Sequence, residues 1–380
     1  MASSDVKGEV RFYSCPVDFL ENESSKTNVK PGWTISYARI FWKRFGRVFA
    51  ASCLCVLLTF TNADATKYAG DFLSIGVGPR ALGMGGAFTS VADDVTAGYW
   101  NPAGLAGVTR RMTTVMHSEQ LSGLAYDYIA YAQSRGTALR ATGFGISIIR
   151  LGLDDIPITR LPDPSKPVDA LLGNGQRNRP YVDRFVSDVE YGILLSIARR
   201  ASPRFAIGAN LKLIRKSLGV ASALGAGLDV GIQAQPVSTL KIGVQIMNVT
   251  STILTWSTGR KEYVTPVLKM GVSYRWDTPR LRGSALIATD VDILFEGRKN
   301  SAAASLGTAS AAGRLGVEYC LQRIVTFRSG LGASGLTAGV GVRSPQIRFF
   351  GQALIPSVDY AFVNDSAFGA VHRIGASLEF

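Results

Sequence analysis

VLKMGVSYRWD, residues 267–277, alternates without a break. Leu268, Met270, Val272, Tyr274 and Trp276 fall on one face; Lys269, Gly271, Ser273, Arg275 and Asp277 fall on the other. An apolar–polar period of two marks a β-strand with two unlike faces. The pattern recurs on both sides of it. Ile242, Val244 and Ile246 oppose Lys241, Gly243 and Gln245; Leu315, Val317 and Tyr319 oppose Arg314, Gly316 and Glu318. Upstream, Ile207, Leu211 and Leu213 oppose Gly208, Asn210 and Lys212.

Fourteen segments carry such a pattern: 110–118, 125–134, 138–151, 184–199, 204–217, 222–235, 239–250, 265–277, 280–293, 309–321, 323–332, 335–344, 346–363 and 370–380. Several have about ten residues, the length with which a tilted strand crosses a bilayer. An even number suits a bacterial single-chain barrel. The connections alternate as well. Arg135–Thr137, Arg200–Pro203, Pro236–Ser238, Thr278-Pro279, Gln322 and Pro345 are short, as periplasmic turns are. The opposite set includes 152–183, 251–264, 294–308 and 364–369, with short exceptions near 218–221 and 333–334. Five prolines make 152–183 an expected irregular surface loop. In the last segment Ile374, Ala376, Leu378 and Phe380 share a face. A final strand ending on an aromatic residue is how outer-membrane barrels commonly end, so Phe380 is the expected assembly signal. The predicted fold is all-β: a 14-stranded antiparallel transmembrane barrel over residues 109–380.

Composition agrees. Of 380 residues, 47% are hydrophobic, only 18% are charged, and 41 are glycine. That is too polar for a helical membrane bundle and suits an apolar exterior around a polar lumen. Glycine would allow bends and the close packing of a plug. The net charge of +13 is spread along the chain without a dense basic run, which argues against a nucleic-acid partner.

The start of the chain reads as an export signal. Lys43, Arg44 and Arg47 precede the apolar run of residues 48–60, and Ala63-Asp64-Ala65 offers a cleavage site. Residues 1–36 are expected to be a non-native or disordered extension, and 37–65 the signal peptide. Three of the four cysteines precede Thr66, so Cys320 cannot form an internal disulfide in the mature part.

Chemistry is sparse. His117 and His372 are the only histidines, and no spaced metal cluster is present. Each histidine is expected at a strand end or in the lumen. Gly330-Leu331-Gly332-Ala333-Ser334-Gly335 matches a dinucleotide fingerprint, but a strand rather than a helix follows, so it reads as a hairpin. No catalytic motif, cofactor or metal site is expected, and no enzymatic activity. Tyr99, Trp100, Tyr126, Tyr128, Trp256, Tyr274, Trp276 and Tyr360 are candidates for interfacial girdles or for a hydrophobic pocket.

Residues 66–108 do not form a strand pair. Small residues dominate them, and an N-terminal hatch or plug in the lumen is expected. Its candidate structural or gating residues are Gly83, Gly85, Gly86, Asp93, Asp94, Trp100, Asn101, Pro102, Ala103 and Gly104. Asp93 and Asp94 are expected to accept backbone amides and Asn101-Pro102 to form a turn.

Arg80–Phe88 (RALGMGGAF), Ala92-Asp93-Asp94 and Tyr99–Leu105 (YWNPAGL) resemble the start of the PorV/PorQ family, which is related to the FadL long-chain fatty-acid channels. Val358–Val363 and His372-Arg373-Ile374 resemble that family's ending, although Asn364–Gly369 departs from its Pro-Phe-Gly-Asp-Leu-Gly type loop. The resemblance implies a FadL-like barrel with an internal hatch. It implies either a role in type IX protein secretion or surface attachment, by binding and handing over cargo, or a channel for hydrophobic or amphipathic small molecules. The partners it implies are outer-membrane lipid, the barrel-assembly machinery, secretion components with their cargo proteins, and hydrophobic ligands. Loops 152–183 and 251–264 would meet cargo.

Overall fold

The computed structural model describes residues 70–380 apart from 121–122, 138–139, 220, 296–303, 307–308, 334 and 366–368. The expected extension and signal peptide lie outside the described residues.

Fourteen antiparallel strands form the wall. They are β1 (Met112–Gln120), β2 (Leu124–Arg135), β3 (Thr142–Arg160), β4 (Tyr181–Ser202), β5 (Phe205–Leu218), β6 (Ala221–Val237) and β7 (Leu240–Met247). Then come β8 (Val267–Thr278), β9 (Gly283–Leu294), β10 (Ala309–Leu321), β11 (Val325–Gly332), β12 (Gly335–Arg343), β13 (Gln352–Asp365) and β14 (Gly369–Glu379). Each pairs with its sequence neighbours. β1 also pairs with β14, from Met112↔Glu379 to Glu119↔His372, and this closes the sheet. Closure removes the sheet edges that hydrocarbon would leave unsatisfied.

The two faces are inverted relative to a soluble domain. Val115, Ile129, Ile146, Leu211, Val272 and Val317 are exposed on the outside. Their strand neighbours Thr114, Ser147, Asn210, Lys212, Ser273 and Glu318 are buried inside. One end of the barrel has mostly brief turns and contains Phe380. The other carries the long connections 161–180, 248–266 and 295–308. By that asymmetry the first end is periplasmic and the second extracellular.

Three expectations need correction. The segment 152–183 is not one irregular loop: β3 runs on to Arg160 and β4 begins at Tyr181, leaving 161–180 as the connection. A bulge after Leu153, with Asp155 at φ 58°, lets the ladder resume at Ile156 and accommodates Pro157 within the strand. The segment 251–264 is a hairpin of Thr252–Trp256 and Lys261–Val264, whose first arm continues the pairing with β6. The stretch 346–363 is not a single strand. Ile347–Phe349 pairs back on Gln352–Leu354 across a turn at Phe350 and Gly351, with φ 47° and 78°.

Candidate functional site

Residues 70–108 lie within the ring of strands as short helical turns joined by irregular backbone. Such a chain has many carbonyls and amides without regular partners, and each must be satisfied where water is excluded. The wall supplies them. Asn210 Nδ2 donates to the Gly98 carbonyl at 2.7 Å, and Gln245 Nε2 to that of Tyr99 at 3.1 Å. Gln233 Nε2 donates to the carbonyls of Ser90 and Ala92. One carboxylate oxygen of Asp290 accepts the amides of both Phe88 (2.9 Å) and Thr89 (2.8 Å).

Close approach explains the inward glycines. A Cβ on Gly208 would strike Pro102 and Ala103, one on Gly243 would strike Thr89, and one on Gly330 would strike Met84 and Gly85. On the inner segment, Gly83 faces the backbone of Gly339, and Gly104 leaves no room for a side chain beside Ala92. Gly85 and Gly86 have φ 66° and 75°, and a side chain on Gly85 would meet the Leu331 backbone. The turn they make also lets Gly85 N donate to Thr337 Oγ1 at 2.9 Å.

The Asn-Pro-Ala-Gly element is a cap. Asn101 Oδ1 accepts from Ala103 N at 3.2 Å, and Pro102 opens a short 3-10 turn. The Asn101 amide donates inward to Thr89 O (2.9 Å) and outward to Ile232 O on β6 (3.0 Å). One side chain therefore ties two parts of the inner segment to the wall. Trp100 Nε1 donates to Val77 O, and its ring lies 5.5 Å from the Lys269 ammonium.

Asp93 and Asp94 behave only partly as expected. Asp94 accepts the Thr96 amide and hydroxyl. Both carboxylates also converge on Arg80, at 2.7 and 2.9 Å. Arg80 reaches across to Glu318 on β10, which also holds Arg328. The result is an ion-pair chain from inner segment to wall, half-buried at Arg80, Asp93 and Asp94 and buried at Glu318 and Arg328. Breaking one member of such a chain leaves an uncompensated charge, at a typical cost of about 3–5 kcal/mol. Neither the motif around Arg80 nor the strand around Glu318 advertises this pairing in the sequence. The available signal was the inward phase of Glu318.

The aromatic candidates divide. Tyr99, Trp100, Tyr126 and Tyr128 are buried inside, so they are not girdle residues; Tyr274 and Trp276 are exposed outside. Phe380 donates its amide to Arg111 O, and its ring lies 6.4 Å from that of Tyr131. His117 and His372 sit on the outer face near the extracellular ends of β1 and β14, not in the lumen. Among the described residues no group of histidines, cysteines and carboxylates is arranged to hold a metal.

On the extracellular side of the inner segment, the inward face carries an apolar row among polar groups such as Gln120, Lys212 and Lys216. The register places Tyr128, Ile149 and Ile214 in one row, with Leu254 nearby, and all are buried. Phe72 and Leu73 of the inner segment pack into the same cluster. Lys216 Nζ, paired with Glu190 at 3.0 Å, is 5.5 Å from the Phe72 ring, and the Arg373 guanidinium is 5.7 Å from the Tyr126 ring.

A closed antiparallel barrel with an apolar exterior and a polar interior is an integral bacterial outer-membrane protein. A model described as "Uncharacterised protein family (UPF0164)" matches residues 57–153. No curated protein matches the chain. Among solved structures, the toluene transporter TodX of Pseudomonas putida is similar at 12% identity and a TM-score of 0.49, over 80% of this chain and 97% of that one. The toluene transporter TbuX of Ralstonia pickettii is similar at 14% identity and 0.48, over the same shares. A FadL homologue of Pseudomonas aeruginosa is similar at 11% identity and 0.45, also over 80% and 97%. The barrel assignment rests on the chain's own strand ladder.

Proposed function

We propose that this barrel is a FadL-like conduit for hydrophobic or amphipathic small molecules, working by binding and passage without covalent chemistry. The supporting observation is the apolar cluster of Phe72, Leu73, Tyr128, Ile149, Ile214 and Leu254 on the extracellular side of the inner segment. A water-filled pore has no need of such a surface in its lumen.

The test is binding of the fluorescent fatty acid cis-parinaric acid to the purified full chain. Ile149→Asn should weaken binding by about tenfold, the effect of about 1.4 kcal/mol. No saturable binding, or binding indifferent to Ile149→Asn, would refute the proposal.

A second reading, type IX secretion or surface attachment, is supported only by sequence resemblance, that of Arg80–Phe88 and Tyr99–Leu105 and of the ending Val358–Val363 with His372-Arg373-Ile374. It predicts that deleting the gene strips many proteins from the cell surface and traps their precursors in the periplasm. An unchanged surface proteome would remove it.

A further inference from the structure

The positive charge is not evenly exposed. Five of the six periplasmic turns carry at least one exposed arginine: Arg135 and Arg140, Arg204, Arg280 with Arg282, Arg323, and Arg348. None of these forms an ion pair with another described residue. The acidic groups at this end are few: Asp277, the chain terminus, and Glu379, which is taken by Arg343 at 2.7 Å.

The extracellular end differs. There Arg150 pairs with Asp127, Arg160 with Asp183, Lys166 with Asp163, Arg179 with Asp169, and Arg260 with Glu262. Five extracellular cations are thus paired within the protein, although Arg177, Arg184 and Lys261 are exposed there too; the arginines of the periplasmic turns pair with no described acidic residue.

Their spacing is regular. On β2, β8 and β11 an outward aromatic residue is followed, four positions nearer the periplasm, by an arginine. The pairs are Tyr131 and Arg135, Trp276 and Arg280, and Phe327 and Arg323. Outward aromatic rings mark the membrane–water interface. Arg135 ends β2 in extended backbone, about 13 Å beyond its ring, whereas Arg280 sits in the 3-10 turn Pro279–Leu281 and Arg323 in a turn with φ 62°, each closer to its ring than an extended strand would place it. An arginine side chain at that depth reaches back to the phosphate layer, and its planar fork matches phosphate oxygens bidentately.

From this geometry we infer that the arginine turns form a collar that binds the phosphate groups of anionic phospholipids in the periplasmic leaflet. The collar's distribution favours lipid over a protein partner. It spans β2 to β13, whereas an acidic protein would need one sector. Headgroups surround the barrel on every side and attract basic side chains at the leaflet surface.

The test uses the full chain reconstituted in phosphatidylcholine vesicles, with spin-labelled phosphatidylglycerol or phosphatidylcholine as the reporter lipid. The native barrel should select phosphatidylglycerol over phosphatidylcholine by at least about threefold, and 1 M salt should erase much of the preference. Replacing Arg135, Arg140, Arg280, Arg282 and Arg323 together by Gln should abolish it. The separate pairs R135Q/R140Q and R280Q/R282Q, which are milder for folding, should each lower it in part. An extracellular control, R160Q/R177Q/R184Q, should leave it intact. Equal association of the two lipids, or a preference that survives the periplasmic substitutions, overturns the inference. It is also overturned if those substitutions spare lipid selectivity but abolish crosslinking to an acidic periplasmic protein in cells.

Discussion

Asn101 illustrates how a single residue joins the inner segment to the wall. Its oxygen accepts once and its amide donates twice, so the two halves of the side chain are not interchangeable. Asn101→Asp keeps the cap but loses both donors and buries a charge against two carbonyls. It should therefore destabilise more than Asn101→Ala, which leaves those carbonyls unsatisfied at about 1–3 kcal/mol. Hydrogen exchange over residues 88–105 would show the order; equal protection in the two variants would contradict it. Glycine gives a second residue-scale test. Gly330→Ala should unseat Met84 and Gly85, while Gly313→Ala, on the neighbouring strand with open space around its Cβ position, should not. Thermal unfolding should separate them by several degrees, since overpacking typically costs about 1–3 kcal/mol; matching midpoints would refute the close approach. The turn at Asn101-Pro102 was legible because both residues have strong local turn preferences. The partners of Arg80 were not, because Arg80 and Glu318 are far apart in sequence and meet only after the barrel closes.

At the scale of elements, alternation placed all fourteen strands to within a few residues, except where a hairpin or bulge broke the phase. The stretch 346–363 concealed a turn because Phe350 adopts a left-handed conformation that its residue type does not advertise. The connection 161–180 is better organised than five prolines suggest. Asn178 is fully buried, and its Nδ2 donates to the carbonyls of Asp163 and Lys166 while its Oδ1 accepts the Asp163 amide. Asn178→Ala should free this connection, with proteolysis between 161 and 180 rising sharply while the wall stays intact. Unchanged proteolysis would show that the side chain does not organise it. The hydroxyl and amide of Ser165 hold the Asp163 carboxyl below its ordinary value of 3.8. A depressed acid contributes its stability above the unfolded value and loses it as pH falls through the folded one. The connection should thus keep its conformation above pH 3.8 and loosen only below it. Loosening that began at neutral pH would point to other groups.

For the whole molecule, the fold was legible because a barrel in lipid leaves little choice: apolar outside, polar inside, even strand number, no free edge. What lies in the lumen was legible only as composition. Small residues and inward glycines suggested close packing, but which wall side chain meets which carbonyl depends on strand tilt and register. Residues 70–108 are held to the inner wall by hydrogen bonds and ion pairs, and we propose that they close the resting barrel to ions. The most direct test is conductance in planar bilayers, comparing the native barrel with one lacking residues 70–108. The native barrel should stay closed to ions, and the deletion should give a large steady conductance. A native barrel that conducts as well as the deletion would contradict it.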